Sequence, residues 1–363
     1  MPWHPRQYLP QLREAVDRAP SIFNQRPWEL TAADDDRLEL YSVPSAALAD
    51  SGLFREAVIS CGAALYNLRL AIRVAGRKPT AWLLPGMDHD TALLETVHAE
   101  RTLLASVEVM PGRAASPTDA EQELYEALWL RHTDRSPHRY QPVPAPILVE
   151  MEVAAAHERG WLRTLNPAES RRARRAAARA SWEIDQSETL RRRLSALAAA
   201  VPRDAYGPTP QDARDAPVRP DFFLPERVER FERHPVMMAL STDDDRPLDW
   251  LRAGQALQHA LLTGTRFSMS APGGRSTPYR QRLEYGPLDP HRLRPRPGVP
   301  AGYAVEASFL TQSLELADLR GRARFWPWRA SYTEVPQIVL RVGYVPVTGG
   351  GAGAGDPAGT GSR

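Results

Sequence analysis

Two short stretches carry side chains whose types and spacing suit the grip of an anionic, planar molecule. In "RHTDR" the guanidinium groups of Arg131 and Arg135 flank the Thr133 hydroxyl. On an extended turn these two planar forks and one hydroxyl match the oxygens of a phosphomonoester, while a solvated basic loop is the simpler reading of the same spacing. In "APSIFNQRPW" Ser21 and Asn24 lie between Pro20 and Pro27. Their side chains can close a turn at a helix stop, which is the simplest reading, or offer a short polar edge to a planar heteroaromatic ring.

Other chemistries lack their residues. Cys61 is the single cysteine, which excludes an internal disulfide framework and any cysteine-rich metal or cluster site. It lies on an apolar helical stripe, where an inert core thiol is expected. The nine histidines show no H-x-x-x-H or H-x-H spacing, so no metal is assigned, and no G-x-S-x-G elbow is present. The glycine-rich tail follows a strand and opens no helix, so it fails as a dinucleotide loop. "RRARRAAARA", residues 171 to 180, has no interleaved aromatics and is flanked by Glu169, Glu183 and Asp185. It reads as a solvated face rather than a nucleic-acid-binding helix. The net charge of +2, from 46 basic and 44 acidic residues, gives no field that would draw the chain to nucleic acid or membrane.

The elements that must position these stretches follow from periodicity. "LPQLREAVDRA" spaces Leu12, Ala15, Val16 and Ala19 by three and four and then meets Pro20, which ends a helix. "DRLELYSV" alternates as a strand. "FREAVISCGAALYNLRLAIRVAG" is a long helix with Gly76 as its stop, followed by strands "TAWLLP" and "LLASVEVMP" on either side of a helix containing "TALLETVHAER". "SPTDAEQELYEALWL" opens a helix with Ser116 as cap. Helices are expected at about 145 to 159, 167 to 185 and 187 to 200. A Pro-rich loop, the helix "DWLRAGQALQHALLTG" and the strand "PQIVLRVGYVPV" follow. The tail after residue 346 has nothing to bury and reads as disordered. "GAALYN" and "GQALQH" share G-x-A-L on two long helices, with Gly62 and Gly254 192 positions apart, which reads as chance or as two related halves. No apolar run approaches the roughly 18 residues of a membrane span, and one cysteine fits a reducing, cytoplasmic setting.

Taken together, "APSIFNQRPW", "AVISCGAALYNLRLAIRVAG", "RHTDRSP", "STDDDRPLDWLRAGQALQ" and "PQIVLRVGYVP" resemble the nitroreductase superfamily of flavoproteins, and within it the Acg-like branch, which fuses two nitroreductase-like halves in one chain. The resemblance runs from about residue 10 to 346, with a divergent middle near 165 to 235. It implies an α+β fold, with mixed, mainly antiparallel sheets covered by helices and two halves forming an intramolecular pseudo-dimer. The halves would be residues 1–115 and 116–346, the second with a helical and Pro-rich insertion at about 165–235, before a disordered tail at 347–363.

In ordinary nitroreductases an R-[RH]-[ST]-x-[RK] segment holds the FMN phosphate and a P-S-x-x-N-x-Q-P-W segment of the partner lines the flavin. Here the first half carries the second segment alone and the second half the first, so the resemblance implies one FMN per chain. Arg131, His132, Thr133 and Arg135 would hold the phosphate; Pro20, Ser21 and Asn24 would border the ribityl chain and ring. Ser268, Met269 and Ser270, in the turn after the second central helix, would neighbour the reactive edge. Arg26 replaces the pattern's glutamine, and after "GYVP" the only basic residue is Arg363. The implied activity is hydride transfer from NAD(P)H to flavin and on to a nitroaromatic, quinone or similar acceptor, by a monomer that engages neither nucleic acid nor membrane. The alternative is a protein that stores flavin and reduces little.

Overall fold

The computed structural model describes residues 5–45, 54–86, 101–110, 116–131, 142–171, 173, 186–189, 192, 236–269, 283–287 and 335–344. In chain order these form α1 (Pro5–Val16), a 3-10 turn (Ile22–Asn24), β1 (Trp28–Ala32), β2 (Arg37–Ser42), α2 (Phe54–Val74), β3 (Pro79–Leu83) and β4 (Thr102–Val109). Then come α3 (Asp119–Leu130), α4 (Ala145–His157), β5 (Trp161–Thr164), β6 (Val236–Thr242), α5 (Pro247–Met269), β7 (Leu283–Pro287) and β8 (Val335–Tyr344). The class is α+β, with every described strand pair antiparallel.

The two sheets repeat one plan. The first is ordered β1-β2-β4-β3 and the second β5-β6-β8-β7, so each runs first, second, fourth, third strand. In each, a long helix links the second strand to the third, and the register of the second strand shifts after a leucine, Leu40 in one and Leu240 in the other. The sheets differ in cover. β2 alternates buried and half-buried residues, whereas the equivalent β6 is buried from Met237 to Thr242, and β8 is buried from Pro336 to Gly343, which is why its sequence shows so little alternation.

Helix α2 packs against both α5 and the first sheet. Its length and composition would suffice to cross a membrane, contrary to the expectation that no run comes close, but 83% of that apolar window is buried inside the protein. It is a core helix whose apolar residues serve packing on several sides at once. It ends as Gly76 predicts: Gly76 has φ +73, and Arg77 N–H reaches back to the Ile72 carbonyl at 3.1 Å, the six-residue closure that a left-handed glycine permits.

α2 crosses α5 at the shared G-x-A-L motif. A Cβ on Gly62 would overlap the Leu251 carbonyl oxygen and lie 2.9 Å from Gly254 Cα; one on Gly254 would overlap the Ile59 carbonyl oxygen and lie 2.7 Å from Gly62 Cα. Each carbonyl belongs to the residue three before the facing glycine. The contacts beyond the crossing are exchanged in the same way. Tyr66 stacks on His259 with centroids 4.7 Å apart, and Gln258 Nε2 donates to Asn67 Oδ1 at 2.8 Å. A shift of 192 positions turns Tyr66 into Gln258 and Asn67 into His259, so stack and hydrogen bond occupy equivalent places. At its other end α2 is tied to the second sheet by Arg55, whose Nε meets Asp245 Oδ1 at 3.0 Å and whose Nη2 reaches the Pro336 carbonyl at 3.2 Å. One apolar core takes residues from both sheets and both central helices.

Several elements differ from the sequence reading. β1, β5, β6 and β7 were not foreseen: "WELTA" and "WLRT" are short, and "VMMALST" opens with five apolar residues in a row and shows no strand alternation. α1 begins at Pro5, encloses Pro10 and ends at Val16, four residues before Pro20. α3 is capped by Thr118 rather than Ser116, because Glu121 three residues on completes a capping box. α5 does not stop at Gly264 but continues to Met269, with Thr265 Oγ1 donating to the Leu261 carbonyl of its own helix at 2.8 Å. The expected helix at "TALLETVHAER", the Pro-rich loop, the tail and most of 165–235 lie outside the described residues.

Candidate functional site

The connection from α1 to β1 spans residues 17–27. The corresponding connection from α4 to β5 spans only 158–160. The longer one contains the 3-10 turn and the stretch of interest. Ser21 is buried; its Oγ accepts the Arg26 N–H at 3.1 Å, closing the loop on itself. Asn24 donates its backbone N–H to the Ser21 carbonyl at 3.0 Å, and its side chain is half-buried. Asn24 and Arg26 both adopt positive φ, +54 and +46. Asparagine tolerates that region; for arginine it costs about 1 kcal/mol or more and persists only where the surroundings over-determine it.

Those surroundings are specific. Ile22 N–H donates to Ser60 Oγ on α2 at 3.0 Å, and the Cys61 thiol donates to the Pro27 carbonyl at 3.2 Å. Trp28 Nε1 donates to Asp17 Oδ1 at 3.1 Å, joining the two ends of the connection. Arg26 points to the surface, its Nη1 4.0 Å from Asp17 Oδ2 with both side chains nearly half exposed.

The basic segment begins beside this loop. Arg131 follows α3, and its Nη2 donates to the Arg18 carbonyl at 3.2 Å, 113 positions away in sequence. Arg18 in turn lays its guanidinium over the Trp129 ring, 4.7 Å from the centroid. The ends of α1 and α3 therefore interlock, and the residue that Arg131 contacts, Arg18, precedes Pro20 by two positions in sequence. Sequence reasoning missed Arg18 and Trp129, because nothing local marks a cation–π pair between residues so far apart. Of the other candidates, His132, Thr133, Arg135 and Ser270 lie outside the described residues. The backbones of Ser268 and Met269 form the last turn of α5, not the loop after it, and their side chains lie outside the description.

The Cys61 thiol beside the loop and the His259 imidazole beside the helix crossing are both held neutral. Burial pushes the Cys61 thiol up to about 12, so it is a donor and not a nucleophile. Burial, with the positive field of His157, Arg69 and Arg266, pushes His259 down to about 3. Glu158 lies 3.8 Å from His259 Nδ1, but its charge is engaged by Arg69 Nη1 at 2.6 Å. An unfolded imidazole takes up its proton near pH 6.5, whereas the folded one stays neutral. The unfolded state thus gains stability as pH falls from about 6.5 towards about 3. Substituting His259→Phe keeps a ring against Tyr66 and removes the proton site. The variant's urea midpoint should fall less steeply than the wild type's across that window; parallel curves would show that His259 does not titrate as described.

Comparison with known proteins gives the chain relatives over most of its length. No family model matches the chain. "Putative NAD(P)H nitroreductase Rv3131" of Mycobacterium tuberculosis strain H37Rv is 26% identical over 341 residues, covering 91% of this chain and 83% of the relative. "Putative NAD(P)H nitroreductase acg" of the same strain is 27% identical over 273 residues, covering 68% of this chain and 74% of the relative. These relatives support the nitroreductase family, in its Acg-like form.

Proposed function

We propose that the chain is an FMN-dependent NAD(P)H oxidoreductase with one flavin per molecule, bound between two nitroreductase-like halves, 1–115 and 116–346, that stand to each other as subunits do in a dimer. The relatives' names point to reduction with NAD(P)H and not to flavin storage. The observation that carries the proposal is the bond from Arg131 to the Arg18 carbonyl, which brings the start of "RHTDR" to the root of the "APSIFN" loop. The repeated sheet order and the glycine crossing support the relation of the halves.

The donor set suits the group. Arg131, with His132, Thr133 and Arg135 after it, would meet the phosphate; Pro20, Ser21 and Asn24 would border the ribityl chain and ring. Ser268, Met269 and Ser270 would approach the reactive edge. When bound, FMN supplies the redox chemistry, accepting hydride from the nicotinamide and delivering electrons to a nitroaromatic, quinone or similar acceptor. The protein binds and orients. Ser21 and Ser60 hold the loop shape, and Arg131 places a planar fork at the end of α3. The neutral Cys61 thiol holds the loop as a hydrogen-bond donor and not as a nucleophile. We place the protein in the cytoplasm as a monomer, with 165–235 as an insertion in the second half. Adding NADPH to the purified protein without oxygen tests the assignment: flavin absorbance should bleach within seconds, and a yellow protein that stays yellow with both NADPH and NADH would contradict it.

A further inference from the structure

The loop that carries Pro20, Ser21 and Asn24 is held from one place on α2. Ser60 Oγ donates to the Glu56 carbonyl at 2.7 Å, which fixes its proton along the helix and turns a lone pair toward the Ile22 N–H, 3.0 Å away. The next residue, Cys61, holds the far end of the loop through the Pro27 carbonyl. Between these anchors lie the two positive-φ residues, a shape that the chain would not keep unaided. Both anchors are buried, and Ser60 is only 5% exposed. Ser60 is a buried polar residue of α2, and its hydroxyl bonds outward to the loop as well as back to its own helix.

We propose that Ser60 is a positioning residue for ligand binding: acting through Ile22, it sets the orientation in which the loop presents Pro20, Ser21 and Asn24 to FMN. This rests on the flavin reading above. Ser60 touches no ligand itself. Removing its hydroxyl leaves a buried N–H without its acceptor and frees the turn, so that ordering the loop must be repeated at each binding event.

The test is titration of FMN into the full chain freed of pigment. Ser60→Ala should weaken binding about tenfold, and Ser60→Thr, which keeps the hydroxyl, should stay within about threefold of the wild type. The deciding readout is a double-mutant cycle. In an Asn24→Ala background the loop has lost the carboxamide it presents, and Ser60→Ala should then cost less than about threefold. Unchanged binding in Ser60→Ala, or the same fold loss in both backgrounds, would overturn the proposal and leave Ser60 a purely structural residue. If Ser60→Ala does not fold, Ser60→Cys, with its longer and weaker acceptor, takes its place in the same cycle under the same two criteria. A wild-type chain that binds no FMN overturns the flavin reading itself, and that result is seen before any variant is compared.

Discussion

Gly254→Ala should destabilise the protein by more than about 3 kcal/mol, a large part of the roughly 5–15 kcal/mol that holds a folded domain together. The added methyl would overlap the Ile59 carbonyl oxygen and stand 2.7 Å from Gly62 Cα. Both obstacles are backbone atoms of a helix, so no side chain can turn aside. The helices would have to separate, and with them Leu65, Leu68, Leu251 and Leu257 of the shared core. Gly62→Ala meets the mirrored obstacle at Leu251 and should behave alike, while the double variant should be little worse than either, because both break one contact. Urea midpoints and soluble yield measure this; a Gly254→Ala protein with the wild-type midpoint would show that the helices do not cross there.

Arg131→Ala combined with Arg135→Ala should reduce the flavin recovered with the purified protein by more than about tenfold, as expected when two charge-assisted anion contacts are lost. Arg131→Lys separates charge from shape. Lysine keeps the charge without the planar fork, so its flavin content should fall between wild type and the double variant. Arg131 also donates to the Arg18 carbonyl, so thermal midpoints must be read beside the flavin content. Trp129→Leu removes the ring under Arg18 and leaves both arginines in the basic segment. If it lowered flavin content as far as the double variant does, the arginines would be structural clamps of α1, and the phosphate assignment would be wrong.

The central helices were plain in the sequence because more than five turns of apolar periodicity leave little else for Phe54–Val74 to be. The G-x-A-L match was ambiguous there. Its meaning lies in a contact between two helices, and only the facing backbones show why both positions exclude a side chain. β6 was hidden for the opposite reason. A strand covered on both faces has no alternation to read, and Met237 to Thr242 are buried without interruption.

At the site, residue types were legible and partnership was not. Ser21 and Asn24 marked a turn, and the Ser21 hydroxyl does close it. That the turn is held by Ser60, and that Arg131 reaches Arg18, depends on how α1 and α3 pack against α2, which no local pattern encodes. Arg26 was ambiguous between a ligand's edge and the surface. Its positive φ sends the side chain outward to Asp17.

The most direct measurement is the visible spectrum of the purified protein, followed by heat release and identification of the pigment. One FMN per chain, with absorbance near the flavin bands and release on denaturation, is the predicted result. A colourless protein that also fails to take up added FMN would contradict the account, because Arg131 and the loop beside it would then have no flavin to hold.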